Sequence, residues 1–230
     1  MRQIEFANGE YYHLFTHGVE DRDIFQDAQD FKRFLECLVV FNTVKPTQSL
    51  FNTKLLKHGV NLQEARADNP LVNIIAYGLN PNHYHIILEQ IHDGGISEFM
   101  KRINGGHAQY YNIRNERRGT LFESRFKAKH IGTNEYLLNV SAYVNLNNVV
   151  HGLSSPTAQF RSSWNEYIAP EQVKVPLCKK DIILSQFNNS EEYKKFAEDA
   201  VRYIKSQRET PSPMSDLLLE NFLASRQLNS

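Results

Sequence analysis

Two histidines one residue apart begin an apolar stretch near the middle of the chain. The sequence NPNHYHIIL (80–88) follows a Pro/Asn turn with β-branched residues, which predicts a strand entered from a tight turn. Because successive strand side chains point to opposite faces, His83 and His85 share one face. Neighbouring imidazoles on a rigid strand can hold a divalent metal and leave positions open for a substrate oxygen. The simpler interpretation is a half-buried pair, which is the commoner role of an isolated His-x-His.

Tyr143 and Asn147 stand four residues apart in a segment with helical periodicity. Residues i and i+4 of a helix lie on one face, so the phenol and the carboxamide point the same way. Such a pair is usually partly buried at the rim of a core. Beside a metal-binding strand, the phenolate can serve as a nucleophile and the amide oxygen as a third ligand. The alternative nucleophile is Tyr136, which has Val140 and no polar partner four residues later.

The elements that must position these residues follow from the hydrophobic periodicity. It predicts strands over 11–17 and 71–79 and two short strands within 119–131. It also predicts a helix after the N-cap Asp27 and a helix over 134–150 capped by Thr133. A further helix runs from 96 towards 111, with a kink or a close approach at Gly105-Gly106. The Pro/Asn turn joins the second strand to the histidine strand as a hairpin. This order predicts an α+β fold of the ferredoxin-like type, with helices on an antiparallel sheet.

Two regions lie outside that pattern. Residues 43–70 are polar and predict a long excursion with a short helix at 62–67. Beyond Pro170 the composition changes, and the sequence predicts a helix capped by Ser190 and a last amphipathic segment at 216–223. We therefore expect a catalytic domain over 1–169 and a small helical C-terminal extension over 170–230.

The composition is typical of a folded protein without membrane segments. Hydrophobic residues make up 41% and charged residues 23% of the chain, and no apolar run approaches the roughly 20 residues that span a bilayer. The N-terminus lacks the apolar region of a signal peptide, and the two cysteines have no zinc or redox spacing. These features predict a cytoplasmic protein.

Positive charge is concentrated beside the histidine pair. The chain has 26 basic and 26 acidic residues, which argues against coating nucleic acid by bulk charge, but residues 101–130 hold eight cations and two acids. A basic segment of this kind is typical of a phosphate-binding surface, although a solvated helix face has a similar composition. The candidates for contact with phosphates are Arg118, Arg125, Lys127 and Lys129.

The chain resembles the single-tyrosine HUH superfamily, in the branch of IS200-like and REP-associated tyrosine transposases. The resemblance rests on five segments in order: HGVEDRDIFQDAQDFKRFL (17–35), AYGLNPNHYHIILEQ (76–90), GTLFESRFKAKHI (119–131), EYLLNVSAYVNLNNV (135–149) and RSSWNEY (161–167). The His-hydrophobic-His element alone is weakly specific. The same element followed by the hairpin and the tyrosine helix is specific for this family.

The resemblance implies an HUH endonuclease core with metal ligands at His83 and His85, a nucleophile at Tyr143 and a further metal-side residue at Asn147. It implies Mg²⁺ or Mn²⁺ as cofactor, single-stranded or hairpin DNA as partner, and DNA cleavage and strand transfer through a 5′-phosphotyrosine. A monomer and a homodimer both stay open. The alternative functions are a domesticated, non-catalytic hairpin-DNA or RNA-binding protein, and a metallohydrolase that activates water.

Two positions depart from the family pattern. Asn147-Asn148 stands where relatives usually have Asn-Pro, and Thr16-His17-Gly18 stands where they have Asn-Arg-Gly. Neither change touches the candidate ligands. The missing proline alters how the tyrosine helix ends, and the missing arginine removes one phosphate contact, so we expect a different DNA specificity.

Overall fold

The computed structural model describes residues 4–45, 68–153 and 159–206. It contains a five-stranded antiparallel sheet in the order β4-β1-β3-β2-β5, made of Tyr11–His17 (β1), Val72–Leu79 (β2), His83–Gln90 (β3), Lys127–Ile131 (β4) and Arg161–Ser162 (β5). The helices are Ala28–Val40 (α1), Gly95–Arg114 (α2), Asn134–Asn145 (α3), Asn147–Val150 (α4), Trp164–Ile168 (α5), Asp181–Leu184 (α6) and Ser190–Ser206 (α7). The α+β, ferredoxin-like prediction is confirmed.

The sheet separates two hydrophobic cores. Tyr84, Ile86 and Leu88 of β3 pack with α1 and α2 on one face. Ile87 points to the other face and packs with residues of α3 and α7. Because side chains alternate along a strand, His83 and His85 lie on the face of Ile87, beneath the tyrosine helix.

Helix caps show how local chemistry sets the element boundaries. The side chains of Asp27 and Thr133 accept backbone hydrogen bonds at the starts of α1 and α3, as predicted. The predicted N-cap of α7, Ser190, was wrong by one residue. Asn189 accepts the bond from the backbone of Glu192 at 2.9 Å, and Ser190 is the first helical residue.

The predicted helix over 134–150 is broken at Leu146. That residue has φ −112° and ψ 23°, so α3 ends at Asn145 and α4 begins at Asn147. Side chains on both sides of the break are held by other parts of the fold. Asn145 bonds to Ser163, whereas Asn147 accepts a hydrogen bond from Asn80. These two anchors explain why Tyr143 and Asn147 lie on separate helical segments.

The basic segment forms one strand instead of the predicted two. Only Lys127–Ile131 is a strand, and the preceding loop contributes an isolated bridge between Phe122 and Gly18. The start of the loop is tied back to α2, because Asn112 donates to the carbonyl of Gly119 at 2.9 Å. The close approach predicted at the glycine pair of α2 is confirmed, since a Cβ atom on Gly106 would lie 2.8 Å from the ring of Phe41.

The C-terminal helix α7 packs directly on α3. Asn145 of α3 donates to the hydroxyl of Tyr193 at 2.9 Å, and Ser141 lies 3.2 Å from the same oxygen. The buried carboxylate of Glu166 accepts the backbone N–H groups of Leu177 and Cys178, which fixes the chain between α5 and α6. Residues beyond 169 therefore complete the core around the tyrosine helix, and the division at 169/170 stays a prediction.

Three predictions concern other parts of the chain. The short helix at 62–67 and the amphipathic segment at 216–223 lie outside the described residues. Within the described residues, the helices are all too short or too polar to cross a bilayer.

Candidate metal and nucleophile site

The histidine pair is set by the register of β1 and β3. His83 lies opposite His17, and His85 lies opposite Phe15. The facing rings stack, with centroids 4.9 Å apart in the first pair and 5.5 Å in the second. His83 is 3% exposed and His85 is fully buried. Both imidazoles are therefore buried more completely than the half-buried pair of the simpler interpretation.

Gly78 brings the tyrosine helix onto the histidine strand. Gly78 of β2 pairs with His85 of β3, and a Cβ atom on Gly78 would lie 2.3 Å from the carbonyl oxygen of Val144. This contact allows the adjacent residue, Tyr143, to lie edge-on to His85, with ring centroids 5.2 Å apart and planes at 77°. Tyr143 is fully buried. The candidate nucleophile and one candidate ligand are thus in direct contact.

Asn147 contacts the other candidate ligand. Its Oδ1 lies 3.0 Å from Nε2 of His83 and accepts a hydrogen bond from Nδ2 of Asn80. Its Nδ2 is buried and has no hydrogen-bond partner among the residues that the structure describes. The structure therefore brings His83, His85, Tyr143 and Asn147 into one cluster, while their catalytic roles stay a prediction.

The donor set fits a hard divalent cation. Two imidazole nitrogens and an amide oxygen are suitable ligands for Mn²⁺ or Mg²⁺. Oδ1 of Asn147 and Nε2 of His83 lie 3.0 Å apart, so these two donor atoms would hold the ion together. Within the described ranges, no group of three His, Cys, Asp or Glu residues is arranged to hold a metal.

Three further histidines surround the pair, and sequence reasoning missed all of them. Nε2 of His13 lies 2.9 Å from Nδ1 of His85, and the rings of His17 and His151 lie 4.9 Å and 4.6 Å from that of His83. The sequence did contain a signal for two of them. His13 and His17 are an even number of residues apart on one strand, so their side chains share a face, and that strand pairs with the histidine strand.

Two of the four predicted DNA-binding cations lie on the histidine face. Lys127 is opposite Phe15 and Lys129 is opposite His13 in the β1–β4 pairing. Nζ of Lys127 is 5.8 Å from the ring centre of Phe15, which in turn stacks on His85. The other two, Arg118 and Arg125, are exposed in the loop before β4, outside the strands that carry the histidines.

The alternative nucleophile and three other aromatic residues belong to the cores. Tyr136 is 3% exposed and packs among the apolar residues shared by α3 and α7, as expected for a packing residue. Tyr111 and Phe126 are buried in the core on the opposite face, and Phe122 packs against it. These three rings therefore lie in or against the core on the face opposite the histidines.

Comparisons with known proteins find one family model that matches part of the chain. The model of the IS200-like transposase family matches residues 36–147, a range that contains the histidine strand, the tyrosine helix and Asn147. A solved structure of a REP-associated tyrosine transposase bound to a REP hairpin is similar over 76% of this chain and 89% of that chain, with 13% identity and a TM-score of 0.49. No protein with a curated description matches. Over residues 36–147 the chain is therefore similar to the IS200-like transposase family.

Proposed function

We propose that this protein is a metal-dependent endonuclease and strand transferase for single-stranded or hairpin DNA, with Tyr143 as its nucleophile. One observation carries the proposal. Within a single buried cluster, Tyr143 lies against His85 with ring centroids 5.2 Å apart, and Asn147 lies 3.0 Å from His83. A nucleophile beside a set of metal donors is the arrangement that phosphoryl transfer to a protein side chain requires.

In this proposal His83, His85 and Asn147 hold Mg²⁺ or Mn²⁺. Such an ion, when bound, neutralises negative charge on a phosphate oxygen and favours attack on phosphorus. The protein supplies the geometry. His83 and His85 are fixed by their stacking on β1, and Asn147 is fixed by its hydrogen bond from Asn80.

The reaction transfers a DNA strand to the protein. The phenolic oxygen of Tyr143 forms a bond to phosphorus as its proton leaves, and the bond from phosphorus to the 3′-oxygen breaks. That oxygen takes up a proton and departs as a 3′-hydroxyl, and a 5′-phosphotyrosine remains. The new ester conserves the energy of the phosphodiester bond, so another 3′-hydroxyl can attack it and join strands without ATP.

Positive charge on the histidine face assists this chemistry. A tyrosine in solution has a pKa of about 10, so attack near neutral pH needs nearby cations to stabilise the developing phenolate. Lys127 and Lys129 extend from the same sheet face as His13 and His85. Their ammonium groups would bind the backbone phosphates on either side of the scissile bond.

The burial of the cluster implies an opening step. Tyr143 and His85 are fully buried, so a phosphate can reach them only after neighbouring groups move. Binding of a single strand would drive this opening. A duplex would hold its phosphates too far from a recessed site.

The burial of Tyr143 also favours a second candidate function. A protein that only binds hairpin DNA or RNA has no need to expose its tyrosine, and complete burial suits a packing residue. In that case the lysines of β4 would still contact phosphates, and the histidines would serve only the core. The two functions differ in whether a covalent intermediate forms.

The test is to incubate the full-length protein with single-stranded hairpin DNA in Mn²⁺, then denature the protein. DNA labelled at its 3′ end should remain attached to the protein, whereas label at the 5′ end should be released on the fragment with the new 3′-hydroxyl. His83→Ala and His85→Ala should each abolish the adduct. Binding without cleavage would favour the non-catalytic function. Cleavage without an adduct would indicate a metallohydrolase that activates water.

A further inference from the structure

We propose that His13 is a positioning residue for His85, whose ring it holds in the orientation and tautomer that leave Nε2 unprotonated and able to act as a ligand. The inference rests on the metal role of His85 in the proposed function. His13 lies on β1 and is fully buried. Neither the HxH pattern nor the tyrosine helix contains it.

The two imidazoles meet across the sheet. His13 is opposite Ile87, and His85 is opposite Phe15, so the histidines are diagonal neighbours on one face of the β1–β3 pair. Their rings are nearly parallel, with centroids 5.1 Å apart and planes at 25°. Nε2 of His13 lies 2.9 Å from Nδ1 of His85, which is a hydrogen-bond distance. One of these two nitrogens must carry the proton.

The chemistry of imidazole decides which nitrogen donates if His85 is a ligand. A neutral ring has one N–H donor and one acceptor nitrogen. When Nε2 of His85 binds a metal, its proton must reside on Nδ1, and that N–H needs an acceptor. Metal-bound histidines usually donate this second N–H to a carboxylate, a carbonyl or water. Here Nε2 of His13 takes that place, so His13 carries its own proton on Nδ1.

The opposite arrangement would remove the ligand. If His13 donated from Nε2, then Nδ1 of His85 would accept and Nε2 of His85 would carry the proton. A protonated Nε2 has no lone pair for a metal. The hydrogen bond between the two rings therefore couples the tautomer of His13 to the capacity of His85 to bind metal.

His13 also borders the candidate nucleophile. Its ring lies edge-on to Tyr143, with centroids 6.2 Å apart and planes at 82°, beside the closer contact between His85 and Tyr143. The imidazole of His13 thus fills space between the histidine strand and α3. A useful variant must keep this volume while changing the acceptor.

Two substitutions at His13 separate shape from hydrogen bonding. In His13→Gln, the side-chain amide can place an oxygen near the position of Nε2 and accept from His85. In His13→Leu, the volume is largely kept but the acceptor that His13 supplied is removed. We expect His13→Leu to weaken Mn²⁺ affinity about 10- to 100-fold, and His13→Gln to stay within about threefold of wild type. Titration followed by electron paramagnetic resonance measures both.

His107→Leu is a matched control for loss of a buried histidine. His107 is fully buried on the opposite face of the sheet and lies 2.7 Å from the carbonyl oxygen of Ile24. This control should lower thermal stability and leave Mn²⁺ affinity unchanged.

A second control combines His13→Leu with His85→Ala. If His13 acts through His85, the double variant should bind Mn²⁺ no more weakly than His85→Ala alone.

The tautomer can be measured without metal or activity. Long-range ¹H–¹⁵N spectra should show the Nδ1–H form of His85 in wild type and His13→Gln, and a shift towards the Nε2–H form in His13→Leu. An unchanged tautomer in His13→Leu overturns the proposal, as does unchanged Mn²⁺ affinity when His85→Ala abolishes binding. If His85→Ala itself leaves Mn²⁺ affinity intact, the proposed metal site fails, and the spectra alone decide the role of His13.

Discussion

Gly78 of β2 lies so close to Val144 of α3 that a Cβ atom on the glycine would be 2.3 Å from the valine carbonyl oxygen. The same glycine pairs with His85 across the sheet. This contact sets the distance between the tyrosine helix and the histidine strand. The spacing of Tyr143 from its neighbours on β3 therefore depends on the absence of a side chain at residue 78.

Gly78→Ala should displace α3, because the obstacle is a backbone carbonyl that cannot rotate away. We expect a loss of about 1–3 kcal/mol in the free energy of unfolding, as for other overpacked sites, and a greater proportional loss of adduct formation. Gly105→Ala is the control, since a Cβ atom there meets nothing within 4 Å on a helix. It should be neutral or stabilising by up to about 1 kcal/mol. Urea unfolding and the adduct assay measure both effects, and normal activity in Gly78→Ala would contradict this view of the site.

Asn147 should contribute to metal binding through its amide oxygen. Asn147→Ala should weaken Mn²⁺ affinity about 10- to 100-fold while the fold stays intact. Asn147→Asp should retain the metal, since a carboxylate is a stronger ligand for hard ions. It should still slow adduct formation, because its negative charge repels the phosphate. Equal Mn²⁺ affinities in wild type and both variants would leave Asn147 a packing residue.

Lys127 and Lys129 should bind DNA phosphates. Replacing both with glutamine should weaken binding to single-stranded DNA and flatten its dependence on salt, because each phosphate interaction contributes roughly 0.7 to the logarithmic slope. The matched control replaces Lys32 and Lys101, which are exposed on α1 and α2 over the other face of the sheet. Fluorescence anisotropy from low to high salt gives the slopes. Equal slopes for the β4 variant and wild type would move the DNA to another surface.

His107 should make the protein less stable in acid. Burial lowers the pKa of this imidazole to about 4, whereas an unfolded histidine has a pKa of about 6.5. The unfolded chain thus binds the extra proton first, and stability falls as the pH drops from about 6.5 towards 4, by up to about 3 kcal/mol. His107→Gln keeps a donor for the carbonyl of Ile24 and cannot be protonated. Denaturant unfolding at several pH values should show a flatter profile for this variant, and identical profiles would rule the effect out.

The sequence predicted the local features of the fold because they depend on short-range chemistry. Strand β1 was predicted at its observed bounds, since its aromatic and β-branched residues end at Gly18. The caps at Asp27 and Thr133 were predicted because a single side chain satisfies each helix start. The hairpin of β2 and β3 followed from the residues of its turn.

The missed features depend on contacts between distant segments. His13 and His85 are 72 residues apart, and only the strand register brings their nitrogens together. The break at Leu146 interrupts a helical pattern because Asn145 and Asn147 are anchored to different partners. Spacing could place Tyr143 and Asn147 on one helical face, but it could not show that the candidate nucleophile is buried.

Peptide mass spectrometry of the adduct identifies the residue that carries the DNA, which we propose to be Tyr143. The protein is incubated with hairpin DNA and Mn²⁺, digested with nuclease and protease, and searched for a tyrosine that bears a 5′-linked nucleotide. We predict that the modification lies on Tyr143. Tyr143→Phe should lose the adduct but bind DNA within a few-fold of wild type, and Tyr136→Phe should form the adduct normally. A modification on Tyr136 would transfer the nucleophile role, and adduct formation by Tyr143→Phe would contradict the account.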